Sequence, residues 1–156
     1  MSVIDENLKR LDIILPPAPK PVAAYVPFVE AGGFVYISGQ LPSRDGKVVY
    51  AGSVPAAIDI PTAKQAARLA TINALAVLRD AVNTDWPRVL QIVRLGVFVQ
   101  CDPGFDQQPQ IANGASDLLL SIFADAGRHA RAAVGASALP LNAAVEVELI
   151  VHVRPG

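Results

Sequence analysis

One stretch limits the possible folds more than any other: Arg131 to Val153, RAAVGASALPLNAAVEVELIVHV. From Val145 onward it alternates with period two. Val145, Val147, Leu149, Val151 and Val153 share one face; Glu146, Glu148, Ile150 and His152 share the other. Such alternation with β-branched residues marks a half-buried strand. Leu139-Pro140-Leu141-Asn142 interrupts the pattern, and Pro and Asn favour a turn there. The stretch therefore reads as strand, turn and strand. Arg131 opens the first strand among small and apolar residues. Two readings of it stay open: a salt bridge to Glu146 or Glu148 across the hairpin, or a guanidinium fork for a small carboxylate, which arginine binds bidentately. The two glutamates are equally ambiguous. They are either an ion-paired face or include a general acid/base with a raised pKa.

The preceding chain supplies a scaffold. Residues 1–15 read as a short amphipathic helix through Leu8, Leu11 and Ile14. Pro16-Pro17-Ala18-Pro19-Lys20-Pro21 then enforces an extended connector. Residues 1–21 are thus an arm, and 22–156 a single domain. Ala23–Val29 and Phe34–Ser38, separated by Gly32-Gly33, predict a hairpin, with Pro27 confining the first strand to an edge. Arg44-Asp45-Gly46-Lys47 is a second turn, leading to a short strand 48–50. Residues 62–82 predict a helix whose Thr62 and Gln65 fit a capping box, with Leu69, Ile72, Leu75, Leu78 and Val82 inward. Trp86 is expected to anchor the next connection. Residues 91–101 predict a strand with Val93, Leu95, Val97, Val99 and Cys101 on one face. Residues 107–126 predict a second helix with Gly127 as its C-cap, and Arg128 and His129 complementing its negative end. The order ββ(β)-α-β-α-ββ implies an α+β fold: one mainly antiparallel sheet with two helices on one face. The other face would carry Tyr36, Arg94, Phe98, Glu146 and Glu148, and be wet or pressed against other subunits.

Several function classes lose support at this point. The net charge is −1 and no Lys/Arg block occurs, which argues against a nucleic-acid partner. No apolar run approaches the ~20 residues of a membrane span, and the N-terminus lacks a signal-peptide hydrophobic region, so a cytoplasmic protein is expected. Only 17% of residues are charged, which hints at surface hidden in a homo-oligomer. Cys101 is the single cysteine, expected to be a buried small hydrophobe. His129 and His152 lack ligand-like spacing, so no metal is expected. Ser38, at a strand end before Gly39, has no evident base and reads as a turn residue.

The segments VYISGQLP (35–42), VFVQ (97–100) and HARAAVGASALPLNAAVEVELI (129–150) resemble the Rid family, the reactive-intermediate (enamine/imine) deaminases also called the YjgF family. The similarity runs from about Val22 to Val153. It implies a chorismate-mutase-like fold and a homotrimer whose sheets form a barrel with clefts between subunits. It also implies hydrolysis of small 2-imino or enamine acids to 2-keto acids and ammonia, with no cofactor. By the same resemblance Arg131 and the backbone of Ala133 would bind the substrate carboxylate. Tyr25, Ser38 and Glu146 would be the catalytic set, with Glu146 reaching across the interface to the water. One departure stands out: deaminating members carry cysteine where this chain has Ala133. That favours an alternative, a non-catalytic trimer binding a small carboxylate metabolite in the same cleft. RNA cleavage, suggested by older family labels, is opposed by the near-neutral charge.

Overall fold

The alternating strand β7 (Val145–Val153) is central in the computed structural model, which describes residues 1–20 and 24–156. On one side β7 pairs antiparallel with β2 (Phe34–Gln40), which pairs with the edge strand β1 (Phe28–Ala31). On its other side lies β5 (Val89–Gln100), also antiparallel. The opposite edge is β6 (Ala130–Ala136), parallel to β5, so the five-stranded sheet is mixed. A separate two-stranded ribbon, β3 (Ser43–Arg44) and β4 (Lys47–Val48), turns through Asp45 and Gly46, both at positive φ. The first strand begins later than the predicted Ala23–Val29, and Ala23 lies outside the described residues.

The expected hairpin of the last two strands does not form, because β5 lies between them. The turn explains this. Leu141 and Asn142 both adopt left-handed φ, and the chain is carried across the end of β5 rather than folded back. The buried Gln100 at that end holds it: its Nε2 donates to Asn142 Oδ1 at 2.6 Å, and its Oε1 accepts from the Leu139 N–H at 2.8 Å. A cross-hairpin salt bridge from Arg131 is therefore ruled out. Glu148 pairs with Arg94 instead, at 2.9 Å.

Helices α2 (Ile60–Ala81) and α3 (Gln108–Phe123) lie on one face of the sheet. That face presents Val145, Val147, Leu149, Val151 and Val153, all buried. Ile92, not Val93, joins Leu95, Val97 and Val99 in the core, because a register shift between Ile92 and Arg94 breaks strict alternation. Cys101 falls just past the strand and is half-buried. Helix α2 starts two residues earlier than predicted. Its cap is Asp59, whose carboxylate accepts from the Thr62 N–H at 2.8 Å, and Pro61 suits the first turn, where its missing N–H has no helical partner. Helix α3 ends earlier, at Phe123, with Ala124 at φ +51°; Gly127 lies in a following 3-10 turn.

Small residues let α2 and α3 approach closely. Ala63, Ala66, Ala67, Ala70 and Ala74 are fully buried on α2. A Cβ on Gly114 of α3 would sit 2.1 Å from the Lys64 carbonyl oxygen, a backbone atom that cannot move without the helix. Gly114→Ala should therefore destabilise the fold by about 2–3 kcal/mol through overpacking. Thermal unfolding should show a midpoint several degrees lower; an unchanged midpoint would mean that the helices separate freely.

The N-terminal helix α1 is shorter than expected, Val3–Arg10, and leaves Ile14 exposed. Ser2 and Asp5 form its capping box. Asp5 also accepts from the Trp86 indole at 3.0 Å, and Trp86 packs edge-on against Phe123. Its serine hydrogen bonds, chiefly the backbone one, hold Asp5 below the usual carboxylate range. With Leu8 buried and Asn7 donating to the Ile122 carbonyl at 2.9 Å, α1 is docked on α3. The second sheet face has no helix on it. It carries Val29, Tyr36, Phe98, Val134, Ile150 and the Arg94–Glu148 pair, the mixed face anticipated from the sequence.

Candidate functional site

Arg131 sits early in edge strand β6, in register with Leu95 and, through it, Leu149. Both leucines face the helices, so Arg131 points to the helix side. There its Nη1 donates to Asn113 Oδ1 at 2.8 Å and to Ser116 Oγ at 3.2 Å, both on α3. These two bonds use both Nη1 hydrogens. The Nε and Nη2 hydrogens have no partner among the described residues, and the residue is exposed. One edge of the guanidinium is thus braced and the other is an open fork. Ala133, two residues on, faces the same way and is in register with Val97.

Glu146 is on the other sheet face, in register with Phe98. One chain therefore does not bring Arg131 and Glu146 together. Glu146 folds over Gly39 of β2: a Cβ at Gly39 would lie 2.0 Å from Glu146 Oε1. Glycine is needed there to admit the carboxylate. Glu146 has no hydrogen-bond partner among the described residues. Burial, seconded by the nearby Glu148, raises its pKa above the ordinary carboxylate value. Ser38, beside Gly39, donates from Oγ to the Val26 carbonyl at 2.7 Å, while its N–H donates to the Pro27 carbonyl. Its hydroxyl proton is thus committed to the segment following Tyr25. Tyr25 is exposed and lines a groove of about 930 Å³ that also reaches Gly39, Pro27, Arg68 and Ile72. Ser38 and Glu146 thus meet at Gly39, Tyr25 lines the groove that Gly39 also borders, and Arg131 with Ala133 forms a second group.

A third arrangement has no sequence motif. Ser116 Oγ lies 2.9 Å from His129 Nε2, and His129 Nδ1 lies 2.6 Å from the Gly127 carbonyl. A carbonyl only accepts, so Nδ1 carries the hydrogen and the neutral ring's Nε2 accepts from Ser116. The residues are 13 apart, and only the early end of α3 and the 3-10 turn after it bring them together. Among the described residues, no group of three His, Cys, Asp or Glu converges as a metal site would require. Among the described residues, no helix is long and apolar enough to cross a membrane.

Residues 7–153 match the family described as "YjgF/chorismate mutase-like, putative endoribonuclease". The chain is 42% identical to Protein TCP17 of Trypanosoma cruzi, over 95% of this chain and 92% of that one. It is 30% identical to a 2-iminobutanoate/2-iminopropanoate deaminase of Dermatophagoides farinae, over 94% and 98%. Among solved structures, Atu1372 from Agrobacterium tumefaciens, described as of unknown function, superposes with a TM-score of 0.91 at 41% identity, covering 97% of this chain and 93% of that one. The shared element order, the mixed sheet under two helices and a match spanning nearly the whole length lead to one assignment: the chain belongs to the YjgF/chorismate mutase-like family.

Proposed function

We propose that the protein hydrolyses small 2-imino or enamine acids to 2-keto acids and ammonia in a cleft built by two copies of the chain. The observation carrying this reading is the division of the site. An arginine with an open fork lies on one sheet face, and an unpaired, half-buried glutamate lies on the other. Neither is a complete site alone: Glu146 lies half-buried over Gly39, and the open edge of Arg131 is exposed on the helix side of the sheet. A second copy that covered the uncapped sheet face could bring its Arg131 to this copy's Glu146. The trimer that the family resemblance implies would do this, and the apolar side chains on that face give the copies a reason to associate.

The chemistry then follows from the groups. The Arg131 fork fixes the substrate carboxylate. Glu146, whose environment favours its protonated form, can exchange protons with both water and substrate nitrogen. Water adds to the C=N carbon as one of its protons passes to the ionised Glu146 carboxylate, which delivers it to the nitrogen. The hydroxyl proton of the resulting carbinolamine then reaches the nitrogen by the same route, the C–N bond breaks, and ammonia leaves the ketone. The 30% identity to the 2-iminobutanoate/2-iminopropanoate deaminase of Dermatophagoides farinae supports this substrate class. Ala133 favours a second reading, a trimer that binds a carboxylate metabolite without turning it over.

A quench assay separates the two. An amino-acid oxidase generates imino acids and semicarbazide traps them; the protein should suppress semicarbazone formation. No suppression across small, branched and aromatic imino acids would favour the binding reading. A sedimentation mass of one chain would refute the shared cleft. Gly39→Ala gives a further check. The atoms nearest the new methyl group all belong to the Glu146 side chain, so the fold should survive while the carboxylate is displaced. Turnover should fall at least about tenfold, ~1.4 kcal/mol of transition-state stabilisation, with little change in melting temperature. Full activity would mean that Glu146 does not act from its place over Gly39.

A further inference from the structure

We propose that Ser116 and His129 form a nucleophile–base pair, and that the α3–β6 edge carries an acyl-transfer site for esters bearing a free carboxylate. The proposal does not depend on imine hydrolysis. Three requirements of such a site are met by distances already given. The nucleophile is within hydrogen-bond reach of its base, Ser116 Oγ to His129 Nε2 at 2.9 Å. The base is oriented by a third group: the Gly127 carbonyl at 2.6 Å from Nδ1 fixes the tautomer in which Nε2 can take a proton. A donor for developing negative charge stands beside the hydroxyl: the Arg131 Nη1–H directed at Ser116 Oγ at 3.2 Å. Asn113, one turn earlier on α3, braces that guanidinium through its Oδ1. Ser116 and His129 are both half-buried rather than sealed in the core, so a substrate can reach them.

The substrate class follows from Arg131. Ser116 lies at the Nη1 end of the guanidinium, whereas the free fork is the Nε/Nη2 edge. A carboxylate seated on that fork places a carbonyl near Ser116 only if a short chain separates the two groups, as in a half-ester of a small dicarboxylic acid. Ser116 Oγ bonds to the ester carbonyl carbon while its proton passes to His129 Nε2. The tetrahedral intermediate collapses, the bond to the alcohol oxygen breaks, and His129 returns the proton to the leaving alcohol. Water repeats the sequence at the acyl-serine and frees the acid.

The test uses the full-length protein and two probes. A fluorophosphonate, which labels only activated serines, should modify Ser116, identified by peptide mass spectrometry. Mono-4-nitrophenyl glutarate should be hydrolysed faster than uncharged 4-nitrophenyl butyrate after the protein-free rate is subtracted. Ser116→Ala should lose label and lower the glutarate rate at least 100-fold. His129→Gln, which can still accept a hydrogen bond but cannot take a proton, should lower it similarly. Absence of label and turnover in the native protein, label on another serine, or an unaffected Ser116→Ala variant would overturn the proposal. If the pair only braced Arg131, these variants would weaken carboxylate binding, yet the native protein would form no covalent adduct.

Discussion

Replacing Arg131 with alanine should lower kcat/KM for imino acids at least 100-fold and remove the thermal stabilisation given by small 2-keto acids. The magnitude follows from the open fork. A guanidinium–carboxylate pair supplies two charge-assisted hydrogen bonds, each worth about 1.5–3 kcal/mol, and a 100-fold loss corresponds to ~2.7 kcal/mol. The fold should tolerate the change, because Arg131 is exposed and its partners among the described residues are the neutral side chains of Asn113 and Ser116 on α3. A lysine at 131 makes the comparison sharper. It keeps the charge but cannot span Asn113, Ser116 and a carboxylate at once, so it should recover only part of the loss. Intact turnover and intact ligand-induced stabilisation in Arg131→Ala would place the carboxylate site elsewhere on the molecule.

Much of this architecture was legible in local patterning, and the errors have specific causes. The alternation of β7 was readable because one face is entirely buried under α2 and α3, which forces period two. The pairing of β6 was not readable. A strand, a turn and a strand normally imply a hairpin, and only the left-handed pair Leu141-Asn142 with the Gln100 side chain redirects the chain. That misreading also suggested a false partner for Arg131, since the residues that hold it come from a helix 15 and 18 positions away. Tyr25, Ser38 and Glu146 could be named by family resemblance, but the place of Glu146 depends on Gly39 lacking a side chain, which is a matter of packing. The Ser116–His129 contact left no trace in spacing, because the 3-10 turn after α3 sets it. The cap of α2 was misplaced for a simpler reason: Thr62-Gln65 and Asp59-Thr62 are both reasonable caps, and Pro61 decides for the earlier one.

Glu146→Gln should combine a large loss of activity with a gain in stability, and the pairing is what makes it informative. A positioned acid/base typically contributes about 10²–10⁴-fold, so imine hydrolysis should fall by at least 100-fold while keto-acid binding persists through Arg131. The stability effect comes from the raised pKa, caused first by burial and then by Glu148. Below the ordinary carboxylate value of 4.5, Glu146 is protonated in both the folded and unfolded chain and contributes no difference. As pH rises through the unfolded value and then through the higher folded one, the folded chain must give up a proton that it holds more tightly, and stability is lost. Glutamine never ionises. The variant should therefore match the native protein in acid and melt at a higher temperature near neutrality. It should also lose the inflection that Glu146 places in the activity–pH profile. A residue retained at a cost in stability suits a catalytic role, because active sites hold groups in environments that the fold alone would not select. If the glutamine variant melted lower than the native protein at neutral pH, Glu146 would be an ion-pair partner of another copy, and the catalytic assignment would fall with it.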